Sequence, residues 1–107
     1  KNKKFLNRIF DQKEVNKCKK QLNKENCYAK RFAAKEAFSK AIGTGFSKGI
    51  NFNEIIVLNM KSGKPKIELL GTTKNKVKKI LNNKKFEVFL SLSDDKALAV
   101  ATVVISI

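Results

Sequence analysis

The sequence has 107 residues, enough for one small domain, and carries a formal net charge of +15. Because it contains no histidine and only 2 cysteines, a four-ligand zinc site is excluded, and any catalysis must use carboxylates, lysines or a metal. The positive charge favours an acidic partner without identifying it, because enrichment in lysine and asparagine can also reflect the base composition of a genome.

The N-terminal part predicts two short helices. Apolar residues recur at helical spacing over residues 3–10. Asp11 begins a second helix, predicted over residues 12–23, and Glu14 stands three positions later, where a capping box requires a carboxylate. The N-terminal Lys-Asn-Lys-Lys is not followed by the apolar segment of a signal peptide.

The two cysteines, Cys18 and Cys27, are expected to be reduced thiols of a cytoplasmic protein, because a disulfide would join two nearby points of one helical region. The longest apolar run, residues 97–107, is too short to span a bilayer, so no membrane partner is expected.

A third helix is predicted over residues 29–42 and ends at Gly43, the residue type that a left-handed helix end favours. Its apolar face is predicted to contain Phe32, Ala33, Ala37, Phe38, Ala41 and Ile42. Lys35 and Ser39 are predicted on the neighbouring polar stripe.

Glu36 and Lys40 of this helix are four residues apart, and the carboxylate lies at the edge of the apolar face. Two interpretations stay open on spacing alone. The pair forms an ordinary helix salt bridge, which is the commoner case, or Glu36 binds a divalent cation while Lys40 meets the same anionic ligand.

The second half predicts two hairpins separated by a helix. The first hairpin has strands over residues 53–60 and 66–70 around a turn at 62–65. The following helix is predicted to be capped by Thr72 or Thr73, with Val77 facing inward.

The last hairpin is predicted from strands over residues 86–93 and 97–107, with Asp94 as a turn residue. The second strand is apolar on both faces, so it is expected to lie centrally in the sheet or to be covered on both sides. The order of elements predicts an α+β fold. A further strand is expected before Lys1.

Four stretches carry a resemblance. The segment R-F-A-A-K-E-A-F-S-K-A-I-G-T-G at 31–45 closely resembles the signature helix of the bacterial holo-acyl-carrier-protein synthases, which are phosphopantetheinyl transferases. Three further stretches resemble family segments in the same order. They are residues 51–57, the Ser-Gly-Lys-Pro turn at 62–65, and the Leu-Ser-Leu-Ser of residues 90–93 with the strand after it. The resemblance covers essentially the whole chain, which is expected to form a single domain over residues 1–107.

The resemblance implies the 4′-phosphopantetheinyl transferase fold and a Mg²⁺-dependent transfer of 4′-phosphopantetheine from coenzyme A to a serine of apo-acyl carrier protein, in support of fatty acid biosynthesis. Glu36 matches the family's metal-binding carboxylate, and Lys40 matches the lysine that meets the phosphates. The base that accepts the serine proton is either Glu36 or a water on the metal. The coenzyme contacts implied are Lys40, Gly43, Lys64, Pro65, Ser91 and Ser93.

Two family features have no counterpart. The second metal carboxylate belongs to an N-terminal strand that is not in this sequence, so no residue is assigned to it. Asp94 stands where the family has a histidine near the coenzyme phosphates, and it is assigned no binding role.

The family's members are trimers with sites between subunits. The 29–45 helix of one subunit would therefore face residues 63–65 and 91–93 of the next. Arg8 and the lysines at 13–20 are predicted to steer the acidic carrier protein.

Two rival interpretations remain. One is a small basic nucleic-acid-binding domain, which is disfavoured by the presence of only two arginines, Arg8 and Arg31, and by the lack of an aromatic stacking strand, so no nucleic-acid partner is expected. The other is a non-catalytic remnant of the family.

Overall fold

The structure is a computed structural model that describes residues 3–43, 50–95 and 98–107. Its helices and strands follow one another as α1 (Lys3–Ile9), α2 (Gln12–Lys19), α3 (Lys24–Ala41), a single 3₁₀ turn (Phe52–Glu54), β1 (Ile55–Asn59), β2 (Pro65–Leu69), α4 (Gly71–Ile80), β3 (Glu87–Asp95) and β4 (Leu98–Ser106). Within these described ranges, no helix is both long and apolar enough to cross a membrane.

The predicted capping box of α2 is confirmed. Asp11 Oδ2 accepts a hydrogen bond from the Lys13 amide at 2.9 Å, and Glu14 Oε1 accepts one from the Asp11 amide at 3.0 Å. The helix ends at Lys19, earlier than predicted, because Asn23 caps a new helix by accepting from the Asn26 amide at 3.0 Å. As a result, α3 begins five residues before its predicted start.

The prediction that Lys35 and Ser39 lie on a polar stripe of α3 is wrong. Both side chains are buried, on the same helix face as Arg31, Ala34 and Phe38. Ala41, which was predicted to be part of the apolar face, is exposed. The buried face of α3 is therefore rotated relative to the prediction and contains two cations, which the apolar pattern alone could not indicate.

Two antiparallel hairpins form separate two-stranded sheets, β1–β2 and β3–β4. The inner face of β3–β4 packs against α3, where Leu90 and Val103 meet Ala34 and Phe38 in the core. β1 also packs against α3, through Val57 and Ala34, and its first three residues are buried. The α+β prediction is confirmed, and α3 is the element around which both hairpins are arranged.

Two predictions about the last hairpin are wrong. Asp94 is not a turn residue, because it lies within β3 and pairs with Ala99 of β4. β4 is not buried on both faces, because it pairs with β3 alone among the described strands and alternates between partly buried and exposed residues. Its exposed face carries the large apolar side chains Leu98, Val100 and Val104. Residues 96–97 lie outside the described part.

The start of α4 also differs from the prediction. The N-cap position is Leu70, and neither Thr72 nor Thr73 occupies it. A carboxylate from the 3₁₀ turn takes over the capping function, since Glu54 Oε1 accepts a hydrogen bond from the Thr73 amide at 3.0 Å. Val77 is fully buried, as predicted.

The prediction of reduced thiols is wrong in this structure. Cys18 of α2 and Cys27 of α3 form a disulfide with a Cα–Cα distance of 5.5 Å. The two cysteines belong to different helices because the chain turns between Lys19 and Lys24, which the prediction of one helical region did not anticipate.

Candidate functional site

Glu36 and Lys40 lie on the side of α3 that faces away from the buried stripe. The Glu36 side chain is partly exposed and that of Lys40 is exposed. Among the described residues, no hydrogen bond or ion pair reaches the Glu36 carboxylate; Ser39 Oγ donates instead to the Glu36 backbone carbonyl at 2.9 Å. The helix salt bridge between Glu36 and Lys40 is therefore not formed, and both charges are available to a ligand.

Gly43 follows directly at the end of α3 with a φ of 82°, the left-handed conformation predicted for it. The remainder of the glycine-rich segment, residues 44–49, includes Gly45 of the signature and lies outside the described residues. The described part of the site is thus the exposed side of the last two turns of α3.

A second feature lies on the buried side of α3. Lys35 Nζ donates to Glu14 Oε1 at 2.7 Å, to the Phe52 carbonyl at 2.8 Å and to the Ile55 carbonyl. Both Lys35 and Glu14 are fully buried. Burial lowers the pKa of Lys35, and the Glu14 carboxylate opposes that shift.

A basic groove lies beside the first half of α3, with a volume of about 580 Å³. Its cationic lining residues are Lys17, Lys30, Arg31 and Lys61. The turn at Gly63, where φ is 91°, closes one side of the groove and presents the exposed Lys64 and the partly buried Pro65. This concentration of positive charge suits an anionic ligand.

Arg31 connects the groove to the turn. Its Nη2 donates to Asn59 Oδ1 at 3.0 Å, and Asn59 Nδ2 donates to the Gly63 carbonyl at 3.1 Å. Its Nη1 donates to the Cys27 sulfur at 3.3 Å, while Nε is buried and has no hydrogen-bond acceptor within the described residues. Burial lowers the pKa of Arg31, and Glu14 opposes that shift.

Ser91 and Ser93 lie on the face of the β3–β4 sheet that is turned away from α3. They are exposed and alternate with Leu90 and Leu92, which face α3. A strand directs successive side chains to opposite faces, so the two serines point away from the helix that carries Glu36. One chain therefore does not bring the two groups of predicted site residues together.

The described residues supply one carboxylate for Mg²⁺, with the remaining ligands left to substrate phosphates and water. Mg²⁺ is commonly held by one or two carboxylates together with substrate phosphates and water. Glu36 supplies one carboxylate that no described neighbour occupies. Within residues 3–43, 50–95 and 98–107, no cluster of three or more acidic or cysteine ligands is present, so a site formed by protein ligands alone is not seen.

Sequence reasoning missed Arg31 and Lys35 as buried cations. The capping-box pattern identified Glu14, but it did not indicate that the carboxylate would also receive a lysine 21 residues later. That pairing depends on how α2 and α3 meet, for which the sequence contains no local signal.

Comparisons with known proteins identify the family to which the chain belongs. A model of the 4′-phosphopantetheinyl transferase superfamily matches residues 1–102. The chain is 49% identical over 105 residues to the holo-[acyl-carrier-protein] synthase of Pelagibacter ubique, a match that covers 98% of this chain and 82% of the relative. It is 46% identical to the protein of the same name from Ehrlichia chaffeensis, over 95% of this chain and 77% of the relative.

Solved structures give the same answer. The holo-[acyl-carrier-protein] synthase of Neisseria meningitidis superposes with a TM-score of 0.85 at 30% identity, covering 99% of this chain and 82% of that one. The enzyme of Helicobacter pylori in complex with coenzyme A superposes with a TM-score of 0.78 at 32% identity, covering 96% and 82%. The predicted family, fold class and enzyme class are confirmed: the chain belongs to the 4′-phosphopantetheinyl transferase superfamily, and within it to the holo-[acyl-carrier-protein] synthases.

Proposed function

We propose that the chain, as one domain over residues 1–107, transfers 4′-phosphopantetheine from coenzyme A to a serine hydroxyl of apo-acyl carrier protein in the cytoplasm, in support of fatty acid biosynthesis. The serine oxygen forms a bond to the phosphorus of the pantetheine arm, and the phosphoanhydride bond breaks. Adenosine 3′,5′-bisphosphate leaves with the electron pair, and the serine proton passes to a base. The observation that carries the proposal is the Glu36 carboxylate, which is partly exposed and unpaired within the described residues on a helix that matches the family signature.

Glu36 would hold Mg²⁺ together with the phosphates of the substrate. Mg²⁺, when bound, supplies charge neutralisation for the pyrophosphate under attack. Lys40 follows one helical turn later and is exposed, so its ammonium group can reach the same anion. Gly43 ends the helix beside it and leaves room for the coenzyme.

The basic groove is the proposed binding site for the phosphates on the adenosine part of coenzyme A. The Arg31 guanidinium group lines this groove together with Lys17, Lys30 and Lys61, so four positive charges meet there. Lys64 and Pro65 stand in the turn next to Gly63, which borders this groove. A nucleotide with phosphates at both the 3′ and 5′ positions has the charge distribution that such a lining would bind.

We further propose that the active form is a homotrimer with each site shared between two subunits. Ser91 and Ser93 face away from α3 of their own chain, on the same sheet face as the exposed Val100 and Val104. An exposed apolar sheet face is suited to contact with a second copy. The serines of one subunit would then meet the Glu36 side of the next.

The experiment that tests the activity is direct. Apo-acyl carrier protein is incubated with the protein, coenzyme A and Mg²⁺, and the carrier is then weighed by mass spectrometry. A gain of one phosphopantetheine is expected, and it should be lost in Glu36→Ala but kept in Glu25→Ala, which removes an exposed carboxylate from the first turn of the same helix. No mass gain with the unaltered protein would contradict the proposal.

The shared site is tested by mixing two inactive variants, Glu36→Ala and Ser91→Ala/Ser93→Ala. In a cyclic assembly, random mixing leaves about a quarter of the interfaces with both intact halves, so about a quarter of the activity should return. If the mixture stays inactive while each variant alone assembles normally, the two groups of residues do not form one site.

A further inference from the structure

The Lys35 ammonium group is enclosed by acceptors. All three of its N–H bonds are used: one by Glu14 Oε1 at 2.7 Å, one by the Phe52 carbonyl at 2.8 Å and one by the Ile55 carbonyl. A buried ammonium group is tolerated only when it is paired and fully hydrogen-bonded. Lys35 meets this condition with acceptors from three different parts of the chain.

Glu14 is held just as firmly. Its Oε1 also accepts from the Asp11 amide at 3.0 Å, and its Oε2 accepts from the Val57 amide at 2.9 Å. The Lys35–Glu14 pair therefore connects α3 to the N-terminus of α2, to the 3₁₀ turn and to β1. These bonds are directional, whereas the apolar contacts of Ala34 and Phe38 on the same face are not.

The bonds of Lys35 have a consequence for its neighbour. Successive residues of an α-helix are related by a rotation of about 100° and a rise of about 1.5 Å, so the direction of Lys35 fixes the direction of Glu36. A rotation or a slide of α3 that moved the Glu36 carboxylate would also pull Lys35 from its three acceptors. Stability alone does not account for such a pair, because apolar side chains of similar volume are often as stabilising as a buried ion pair.

We propose that Lys35, held by Glu14, is a positioning residue that fixes the rotation of α3 and so directs the Glu36 carboxylate towards the metal and the coenzyme phosphates. The proposal rests on the proposed role of Glu36 as a metal ligand. Lys35 itself touches neither substrate nor metal.

The test measures metal binding as well as activity. The full chain is saturated with coenzyme A and titrated with Mn²⁺, used in place of Mg²⁺ and followed by electron paramagnetic resonance. Lys35→Met, which keeps the length of the side chain, should weaken Mn²⁺ binding by about 10- to 100-fold, the range found when groups that orient metal ligands are removed. The half-saturating Mg²⁺ concentration in the transfer assay should rise in parallel.

Val77→Ala is the matched control, because it makes a cavity at a fully buried position on α4, in the core cluster that also contains Phe38 of α3, and removes none of the hydrogen bonds of Lys35 and Glu14. Because it weakens the packing of α3 but keeps the Lys35–Glu14 pair, it should lower the Mn²⁺ affinity much less than Lys35→Met does. An equal loss of affinity in Val77→Ala would show general destabilisation and overturn the proposal.

A milder variant guards against loss of folding in Lys35→Met. Glu14→Gln keeps the shape of the side chain and one acceptor oxygen but removes the charge that pairs with Lys35. Once circular dichroism has established that this variant is folded, it should shift the Mn²⁺ affinity in the same direction by a smaller factor. Unchanged affinity in the folded variants overturns the positioning role alone. Failure of the unaltered protein to bind Mn²⁺ at all removes the metal role of Glu36 and overturns both proposals.

Discussion

The Glu54 carboxylate occupies the space into which a Cβ at Gly71 would point. Gly71 is the first residue of α4, and its φ of 60° is a conformation that favours glycine. Glu54 Oε1 accepts from the Thr73 amide at 3.0 Å, from Thr73 Oγ1 at 2.8 Å and from Thr72 Oγ1 at 3.0 Å. The absence of a side chain at Gly71 thus lets a carboxylate from the preceding turn cap the helix.

Gly71→Ala should lower the free energy of unfolding by about 2–3 kcal/mol, because the new methyl group displaces Glu54 from its hydrogen bonds and the backbone is strained. Urea denaturation measures the change. Gly63→Ala is the control, since its φ of 91° is also positive, but among the described residues no atom beyond its two chain neighbours lies within 4 Å of the added Cβ. It should cost only the strain, about 1 kcal/mol.

A double variant tests the cause. If the clash with Glu54 dominates, Gly71→Ala and Glu54→Ala should be strongly non-additive, because the second change removes the group that the first one displaces. Additive effects would show that Glu54 has no part in the cost at Gly71.

Glu54 should also contribute to the pH dependence of stability. Burial raises the pKa of its carboxyl, but the hydrogen bonds from Thr73, Asn51 and Thr72 outweigh this, and the net pKa is lowered. A carboxyl with a lowered folded-state pKa stabilises the protein above its unfolded-state pKa, near 4.5, and this stabilisation is lost as the pH falls through the folded-state value.

When the pH is lowered from about 6 to below about 4.5, the free energy of unfolding of Glu54→Gln should therefore fall less than that of the unaltered protein. Chemical denaturation at each pH measures the change. Glu87→Gln, at an exposed position on β3, should keep the acid dependence of the unaltered protein. Identical pH profiles for Glu54→Gln and the unaltered protein would contradict the role of Glu54.

How much of this molecule is predictable differs from residue to residue. The capping box of Asp11 and Glu14 and the left-handed Gly43 follow from local rules, which act within a few residues and need no knowledge of the fold. The burial of Lys35 is different, because its acceptors come from α2, from the 3₁₀ turn and from the first residue of β1, far away along the chain. A lysine in a helix is ordinarily solvated, so local pattern assigns it to the surface.

The candidate site shows the same division. The positions of Glu36 and Lys40 on one side of α3 follow from helical spacing. Their separation from the buried stripe does not, because the apolar pattern placed Glu36 at the edge of the buried face and Lys35 outside that face. The direction of Ser91 and Ser93 away from α3 follows only once the inner face of β3–β4 is known, because alternation gives two faces without saying which is covered. The prediction that β4 lies between two strands or is covered on both sides was wrong for that reason: apolar residues on both faces do not say which element covers each face.

The disulfide between Cys18 and Cys27 should stabilise the protein by about 2–3 kcal/mol, the loop-closure value for a short loop. Denaturation with and without a reducing agent measures this contribution, and Cys18→Ala/Cys27→Ala should match the reduced protein. The bond itself is checked by alkylation in denaturant without reductant, followed by intact-mass measurement. Labelling of both thiols would show that the protein is reduced and would restore the original prediction.

Arg8 and the exposed lysines of α2 and the turn after it are the surface predicted to steer the carrier protein. Arg8 and Lys20 are both exposed, and reversing their charge with Arg8→Glu/Lys20→Glu should lower kcat/KM for the carrier by about tenfold at low salt, with KM for coenzyme A unchanged. The difference from the unaltered protein should shrink as salt is added, because exposed charges are screened over about 10 Å at 0.1 M ionic strength. Lys74→Glu/Lys78→Glu makes the same change in net charge on α4, where both lysines are exposed, and is expected to have a much smaller effect. If the two double variants lose activity equally, net charge and not this surface governs the encounter.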